Sequence, residues 1–243
     1  NLNFLLGGVN ILEVSNLTLQ LDGKIVLKDI SFKIPIQGEI IGIIGPNGAG
    51  KSSLIKSLIG EFQASGKQTL FNKPIQHQLK SMTYIPQKAN IDIDFPISVE
   101  QVILSGCYKE TGWFTKIPKS ARQHLVEVMD DLELTPLRHK QISQLSGGQL
   151  QRVLVARALM SESRIYFLDE PFVGIDFRSE DIIMQKLAAL KRSGKLIFIV
   201  YHDLSKTEAY FDRVLLLNKT LRYLGPTKSV VNSELIYETF LGK

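Results

Sequence analysis

Apolar and polar residues alternate from Ile11 to Ile34, as LEVSNLTLQL and then, past Asp22-Gly23, as KIVLKDISFKI. Period-two alternation on both sides of an Asp-Gly pair predicts a β-hairpin with a tight turn. Glu39 to Ile44 is almost wholly apolar and rich in Ile, which predicts a short buried strand. The period then changes. Between Ser52 and Ile59 the apolar positions include Leu54, Ile55, Leu58 and Ile59, the spacing of one helix face. GKQTLFNKPI predicts a further strand and turn, and SMTYIPQ a strand ending in Pro86-Gln87.

Residues 97 to 160 carry few strand signals. ISVEQVILSG and SARQHLVEVMDDL have helical periodicity, the second with Ser120 as its expected cap after Pro118. Asn90–Pro96 and Gly106–Pro118 read as loops. From Arg164 the pattern becomes strand (Arg164–Leu168), helix (Ser179–Lys191), strand (Lys195–Tyr201), helix (Leu204–Tyr210), strand signals in RVLLLNKTLRYLG, and a final helix in SELIYETFL. Strand and helix in alternation predict an α/β fold with a mostly parallel sheet. The helical stretch interrupts that pattern and does not end it, so it reads as an insertion.

Composition narrows the class. At 243 residues, 44% hydrophobic and 22% charged, the chain suits a globular protein. No segment approaches the 18 or so apolar residues a spanning helix needs. The net charge of +5 comes from scattered Lys and Arg, with no basic block, so nucleic acid is not an expected partner. A mildly basic skin also suits anionic headgroups. Cys107 is the one cysteine and carries no Cys/His signature, so it reads as a small buried residue in a reducing compartment. NLNFLLGG lacks a cationic region; residues 1–10 read as an extension, a processed start or a cloning remnant, outside the fold.

Chemistry concentrates between the buried strand and the first helix. Gly45, four residues, then Gly50-Lys51-Ser52 is the spacing of a phosphate-binding loop. The glycines let the backbone approach an anion, and N–H groups at the loop and helix start point toward it. Lys51 would reach the β- and γ-phosphates, and the Ser52 hydroxyl would coordinate Mg²⁺. These residues imply a nucleoside triphosphate. IYFLDEP is a buried strand ending in Asp169 and Glu170; in open α/β sheets strand ends of this kind face the ligand. Asp169 would hold Mg²⁺, and Glu170 would accept a proton from an attacking water. In QLSGGQLQRVLVARALM, Ser146-Gly147-Gly148 precedes a strong helix and offers a second N-terminus suited to phosphate.

Together these motifs resemble the ATP-binding cassette (ABC) ATPases, from Ile11 to the C-terminus and in the family's order. Gly45-Pro46-Asn47-Gly48-Ala49-Gly50-Lys51-Ser52 resembles the Walker A motif, with Ser53 where Thr is more usual. Leu145-Ser146-Gly147-Gly148-Gln149 resembles the signature motif, and Ile165–Glu170 Walker B. Gln87 falls at the Q-loop, Gly174-Ile175-Asp176 at the D-loop and His202 at the switch histidine. The resemblance implies a P-loop NTPase core with an N-terminal antiparallel β subdomain. Residues 11–243 would form a single ABC ATPase domain, with a nucleotide-binding core of 11–96 and 157–243 and a helical subdomain of 97–156 carrying the signature motif. It implies ATP and Mg²⁺ as ligands, with Ser52, Gln87 and Asp169 toward the metal and Glu170, His202 and Gln87 in catalysis. Gly45 to Ser53 would bind nucleotide, as would Ser146, Gly147, Gly148 and Gln149 across a head-to-tail dimer. Leu21 falls where the family usually stacks an aromatic ring on adenine, which implies weaker adenine preference.

YIPQKANIDIDFPISVEQVILSG, GWF, KQISQLSGGQLQRVLVARAL, DEPFVGID and YFDRVLLLNKTLRYLGPT resemble the ATPases of manganese, zinc or iron importers. That implies a peripheral subunit on the cytoplasmic face of the cell membrane, bound to permease subunits and served by an extracytoplasmic metal-binding protein. Asp92 and Asp94 read as solvated loop acids, not metal ligands. The alternatives are the same subunit of a siderophore or haem importer, or an ABC ATPase acting on ribosomes or DNA. The last usually has two cassettes or a coiled-coil insertion, and this chain has neither.

Overall fold

Two sheets organise the chain in the computed structural model, which describes residues 10–87, 95–107, 117–231 and 233–241. The expected loops at Asn90–Pro96 and Gly106–Pro118, with Asp92 and Asp94, fall wholly or mostly outside those residues, as does most of the N-terminal stretch 1–10. The first sheet contains β1 (Ile11–Leu21), β2 (Lys24–Pro35), β4 (Ser65–Leu70) and β5 (Lys73–Pro74), in the order β2-β1-β4-β5, all antiparallel. Asp22 (φ 47°) and Gly23 (φ 76°) both take left-handed backbone, the requirement of a two-residue hairpin turn whose twist matches the strands.

The second sheet has the order β10-β9-β3-β8-β7-β6. Its strands are β3 (Glu39–Ile44), β6 (Met82–Ile85), β7 (Ile165–Asp169), β8 (Leu196–Val200), β9 (Arg213–Asn218) and β10 (Thr220–Pro226). From β9 to β6 all are parallel; only β10 runs back, turning at Lys219 (φ 57°). All six residues of β3 are buried, as a strand covered on both faces must be.

Side-chain alternation along these strands feeds two large cores and a smaller cluster of Ile44, Val214, Leu216, Val230 and Ile236. Ile41, Ile43, Phe167 and Phe198 face the antiparallel sheet and α1 (Lys51–Leu58), whose Leu54, Ile55 and Leu58 are buried there. Ile40, Leu168, Ile197 and Ile199 face the helical side. That side contains α2 (Val99–Leu104), α3 (Lys119–Asp131), α4 (Gly147–Leu159) and α5 (Phe177–Arg192). Each such side chain contributes roughly 1.5–3 kcal/mol when fully buried. Cys107 is buried among them.

Several boundaries differ from expectation. α3 starts one residue earlier than its proposed cap: Pro118 is the N-cap and Ser120 lies exposed within the first turn. Proline's fixed φ sets the entry without a side-chain cap. α5 starts at Phe177, not Ser179, because the Asp176 side chain accepts from Ser179 N and nucleates the turn. The predicted helix Leu204–Tyr210 is a 3₁₀ turn (Leu204–Lys206) followed by the short α6 (Thr207–Tyr210). The chain closes its described part with α7 (Glu234–Leu241).

Candidate functional site

Parallel strands bring their carboxyl ends to one edge, where Asp169 ends β7 and Gly45, Gln87 and His202 lie just past β3, β6 and β8. The loop after β3 is tightly held. Ala49 N donates to Pro46 O (3.1 Å), and Lys219 N donates to Ala49 O (2.9 Å). Gly50, at φ 95°, is the N-cap of α1; a Cβ there would lie 2.5 Å from Leu27 Cδ2. No side chain caps α1, so its first N–H groups are left for a ligand. Lys51 is 6% exposed and its Nζ donates to Gly45 O (2.8 Å) and Pro46 O (3.0 Å). Burial holds its pKa below the ordinary lysine value, against the opposing pull of Glu170 and Asp169. Asn47 to Ser53 and Glu170 line an open cavity of about 180 Å³.

Beside the loop, Ser52 Oγ donates to Asp169 Oδ1 (2.8 Å). Tyr84 OH donates to Asp169 Oδ2 (3.2 Å), so both oxygens of this buried carboxylate are oriented. Burial, then the Asp169 charge, pushes the Tyr84 phenol well above its usual value and keeps it a donor. Glu170 takes left-handed backbone (φ 49°), which turns it out of strand geometry, and Gln87 Nε2 donates to Glu170 Oε2 (2.5 Å). A non-glycine residue in this region stores strain of order 1 kcal/mol or more.

Mg²⁺ keeps several waters and takes one or two carboxylates plus substrate phosphates. The Ser52 hydroxyl and the Asp169 carboxylate, 2.8 Å apart beside a phosphate-sized loop, fit that donor set. Among the described residues no group of three or more His, Cys, Asp or Glu stands ready to hold a metal by itself.

The signature segment lies elsewhere: Ser146, Gly147, Gly148 and Gln149 are not among the residues lining the cavity. Ser146 caps α4, accepting from Gln149 N (3.3 Å), while Gln149 Oε1 accepts from Ser146 N (3.1 Å). Gly148 is packed against the cap and first turn of α5; a Cβ on it would lie 2.4 Å from both Asp176 Oδ2 and Ser179 Oγ. His202 is exposed past the end of β8. Leu21 closes β1, half-buried, and packs on the core beneath the antiparallel sheet. Neither lines the cavity.

A family model described as ABC transporter matches residues 27–173. This chain belongs to that family. The cassette is 43% identical over 232 residues to "Manganese transport system ATP-binding protein MntB" of Halalkalibacterium halodurans, covering 96% of this chain and 92% of the relative. It is 40% identical to "Zinc transport system ATP-binding protein TroB" of Treponema pallidum, covering 95% and 87%. Among solved structures it is similar to cbiO1 of Clostridium perfringens, part of the ABC transporter complex cbiONQ, with a TM-score of 0.78 and 29% identity over 94% of this chain and 93% of the other. A nucleotide-free ATP-binding cassette shares the fold at a TM-score of 0.83 and 24% identity, covering 96% and 100%.

Sequence reasoning did not find two features of the cassette. Tyr84 gave no signal beyond an apolar strand pattern, and its role on Asp169 depends on the register Tyr84↔Phe167. The buried Glu180 looked like one more polar position of a helix.

Proposed function

We propose that this cassette is the ATP-hydrolysing subunit of an importer for a transition-metal ion, manganese, zinc or iron, working on a separate membrane permease. The observation that carries the reading is the convergence of Lys51, the Ser52–Asp169 pair and the Gln87–Glu170 pair at one sheet edge. The names of the MntB and TroB relatives support the cargo.

In this reading Lys51 and the loop N–H groups hold the phosphate tail, offsetting its charge at a buried, preorganised site. Ser52, Asp169 and Gln87 would hold Mg²⁺, which would neutralise charge building on the phosphates. Glu170 accepts a proton from the attacking water, and Gln87 fixes the carboxylate for that task. His202 contacts the γ-phosphate. Ser146, Gly147, Gly148 and Gln149 serve the nucleotide of a second copy across a head-to-tail dimer. The Ser146 hydroxyl accepts from Gln149 N and still has a proton to donate. The cassette sits peripherally on the cytoplasmic face, and the permease receives its metal from an extracytoplasmic binding protein.

The test is steady-state ATP hydrolysis by the purified chain and its Glu170→Gln variant, with mass spectrometry of proteins retained in mild detergent. A general base supplies about 10²–10⁴-fold, and Glu170→Gln should lose that much. A polytopic membrane protein and a metal-binding lipoprotein should accompany the tagged chain. Full turnover by Glu170→Gln would remove the base assignment, and recovery with ribosomal proteins alone would remove the importer.

A further inference from the structure

The segment that carries His202 is fastened to a helix from another part of the chain. Glu180 lies one turn into α5 and is 8% exposed. Its Oε2 accepts from Lys206 Nζ (2.7 Å), and its Oε1 accepts from Tyr201 OH (3.4 Å). One carboxylate therefore holds both flanks of His202. The Lys206 ammonium also lies 5.2 Å from the Phe177 ring centre and 5.9 Å from that of Tyr210. The Tyr201 ring stands 6.0 Å from the His202 ring and packs edge-on to Phe211 at 5.3 Å.

The other end of the same helix start faces the signature segment. Asp176 Oδ1 accepts from Ser179 N and its Oδ2 from Ser179 Oγ, both at 2.9 Å, and Gly148 packs directly on that cap. The contacts run without a gap from Gly148 through Asp176–Ser179 and Glu180 to Tyr201 and Lys206. A carboxylate buried here is desolvated, a cost that apolar packing would avoid. Its geometry, with partners on either side of one histidine, points to placement of that histidine.

We propose that Glu180 is a positioning residue for His202, pinning residues 201–206 to the helix start that the signature face rests on. Movement of the Gly147–Gly148 face is then passed to the imidazole. This rests on the reading of the chain as an ATPase with His202 at the γ-phosphate.

The variants are Glu180→Gln, Lys206→Met and Lys206→Arg, each also made with His202→Ala. Readouts are kcat and KM for ATP, thermal melting, and the His202 imidazole resonance assigned from the His202→Ala spectrum. Coupling of this kind is worth from about 2-fold to about 30-fold. Glu180→Gln and Lys206→Met should each lower kcat about tenfold, within that range, with KM little changed and the His202 resonance shifted. Lys206→Arg should restore both. In the His202→Ala background Glu180→Gln should cost nothing further. Wild-type kcat with an unshifted resonance overturns the proposal, as does an equal loss without His202 or a fall in melting temperature alone. If the unmodified chain does not hydrolyse ATP, the functional reading falls and takes this one with it.

Discussion

Two helix N-termini in this protein are suited to phosphate, and they are built differently. α1 begins at a left-handed glycine with no side-chain cap, beside a buried lysine. α4 begins at exposed Ser146 inside a complete capping box. The first keeps its orphan N–H groups for a ligand and is completed by one. The second satisfies two of its own donors, the N–H groups of Ser146 and Gln149, through the capping box. The difference fits the division of labour proposed here. In it α1 would hold nucleotide within its own chain, while α4 would have to remain ordered before a second copy presents anything to it.

The largest expected break in this contrast is at Lys51. Lys51→Ala removes a preorganised charge from the α1 site, and turnover should fall about 10²–10³-fold. The rise in melting temperature given by ATP with Mg²⁺ should disappear with it, whereas Ser146→Ala in dilute protein should keep that rise. Thermal shift with and without nucleotide checks both arms.

Glycine substitutions should separate the two sites by stability. Gly50→Ala places a Cβ at φ 95°, against Leu27, and should destabilise by about 1–3 kcal/mol in urea unfolding. A Cβ on Gly147 meets only Gly174 O, at 3.4 Å, so Gly147→Ala should change stability by less than about 0.5 kcal/mol. A smaller effect is expected at the cap itself. Ser146→Ala should cost about 1 kcal/mol, and Ser146→Asp should recover it because Asp caps as well as Ser. Turnover should stay low in Ser146→Asp, whose carboxylate would face a phosphate.

The smallest effect concerns Asp176, the cap of the neighbouring helix. Hydrogen bonds from Ser179, first its N–H and then its hydroxyl, hold the Asp176 carboxyl below its ordinary 3.8. A carboxylate depressed in the folded state stabilises fully above the unfolded pKa. That contribution is lost as pH falls through the folded value. Asp176→Asn removes that contribution, so the variant should lie slightly below wild type at neutral pH and the two curves should converge as pH falls through the folded value, read by denaturation at a series of pH values.

Local signals carried much of this fold. The Asp22-Gly23 turn, the buried β3 and the glycine loop were legible because turn chemistry and period lie within a few residues of each other. Ser120 misled because a good capping residue stood next to a proline that set the helix entry by itself. The start of α5 was missed because the Asp176 cap acts three residues ahead, while the apolar pattern starts later. The placement of β4 beside β1, like the Tyr84–Asp169 contact, depends on partners far along the chain, and no local period encodes it. The same is true of Glu180: its meaning comes from Lys206 and Tyr201, both beyond the next strand.

The central position of β3 sets an order of events during synthesis. Its sheet neighbours are β8 and β9, residues 196–200 and 213–218, and the loop after it rests on Leu217 O and the Lys219 amide. A nascent chain that has exposed Gly45 to Ser52 but not yet Lys219 has the motif without the backbone that shapes it. The shape of the loop is therefore completed late in synthesis, by backbone from the far end of the sheet.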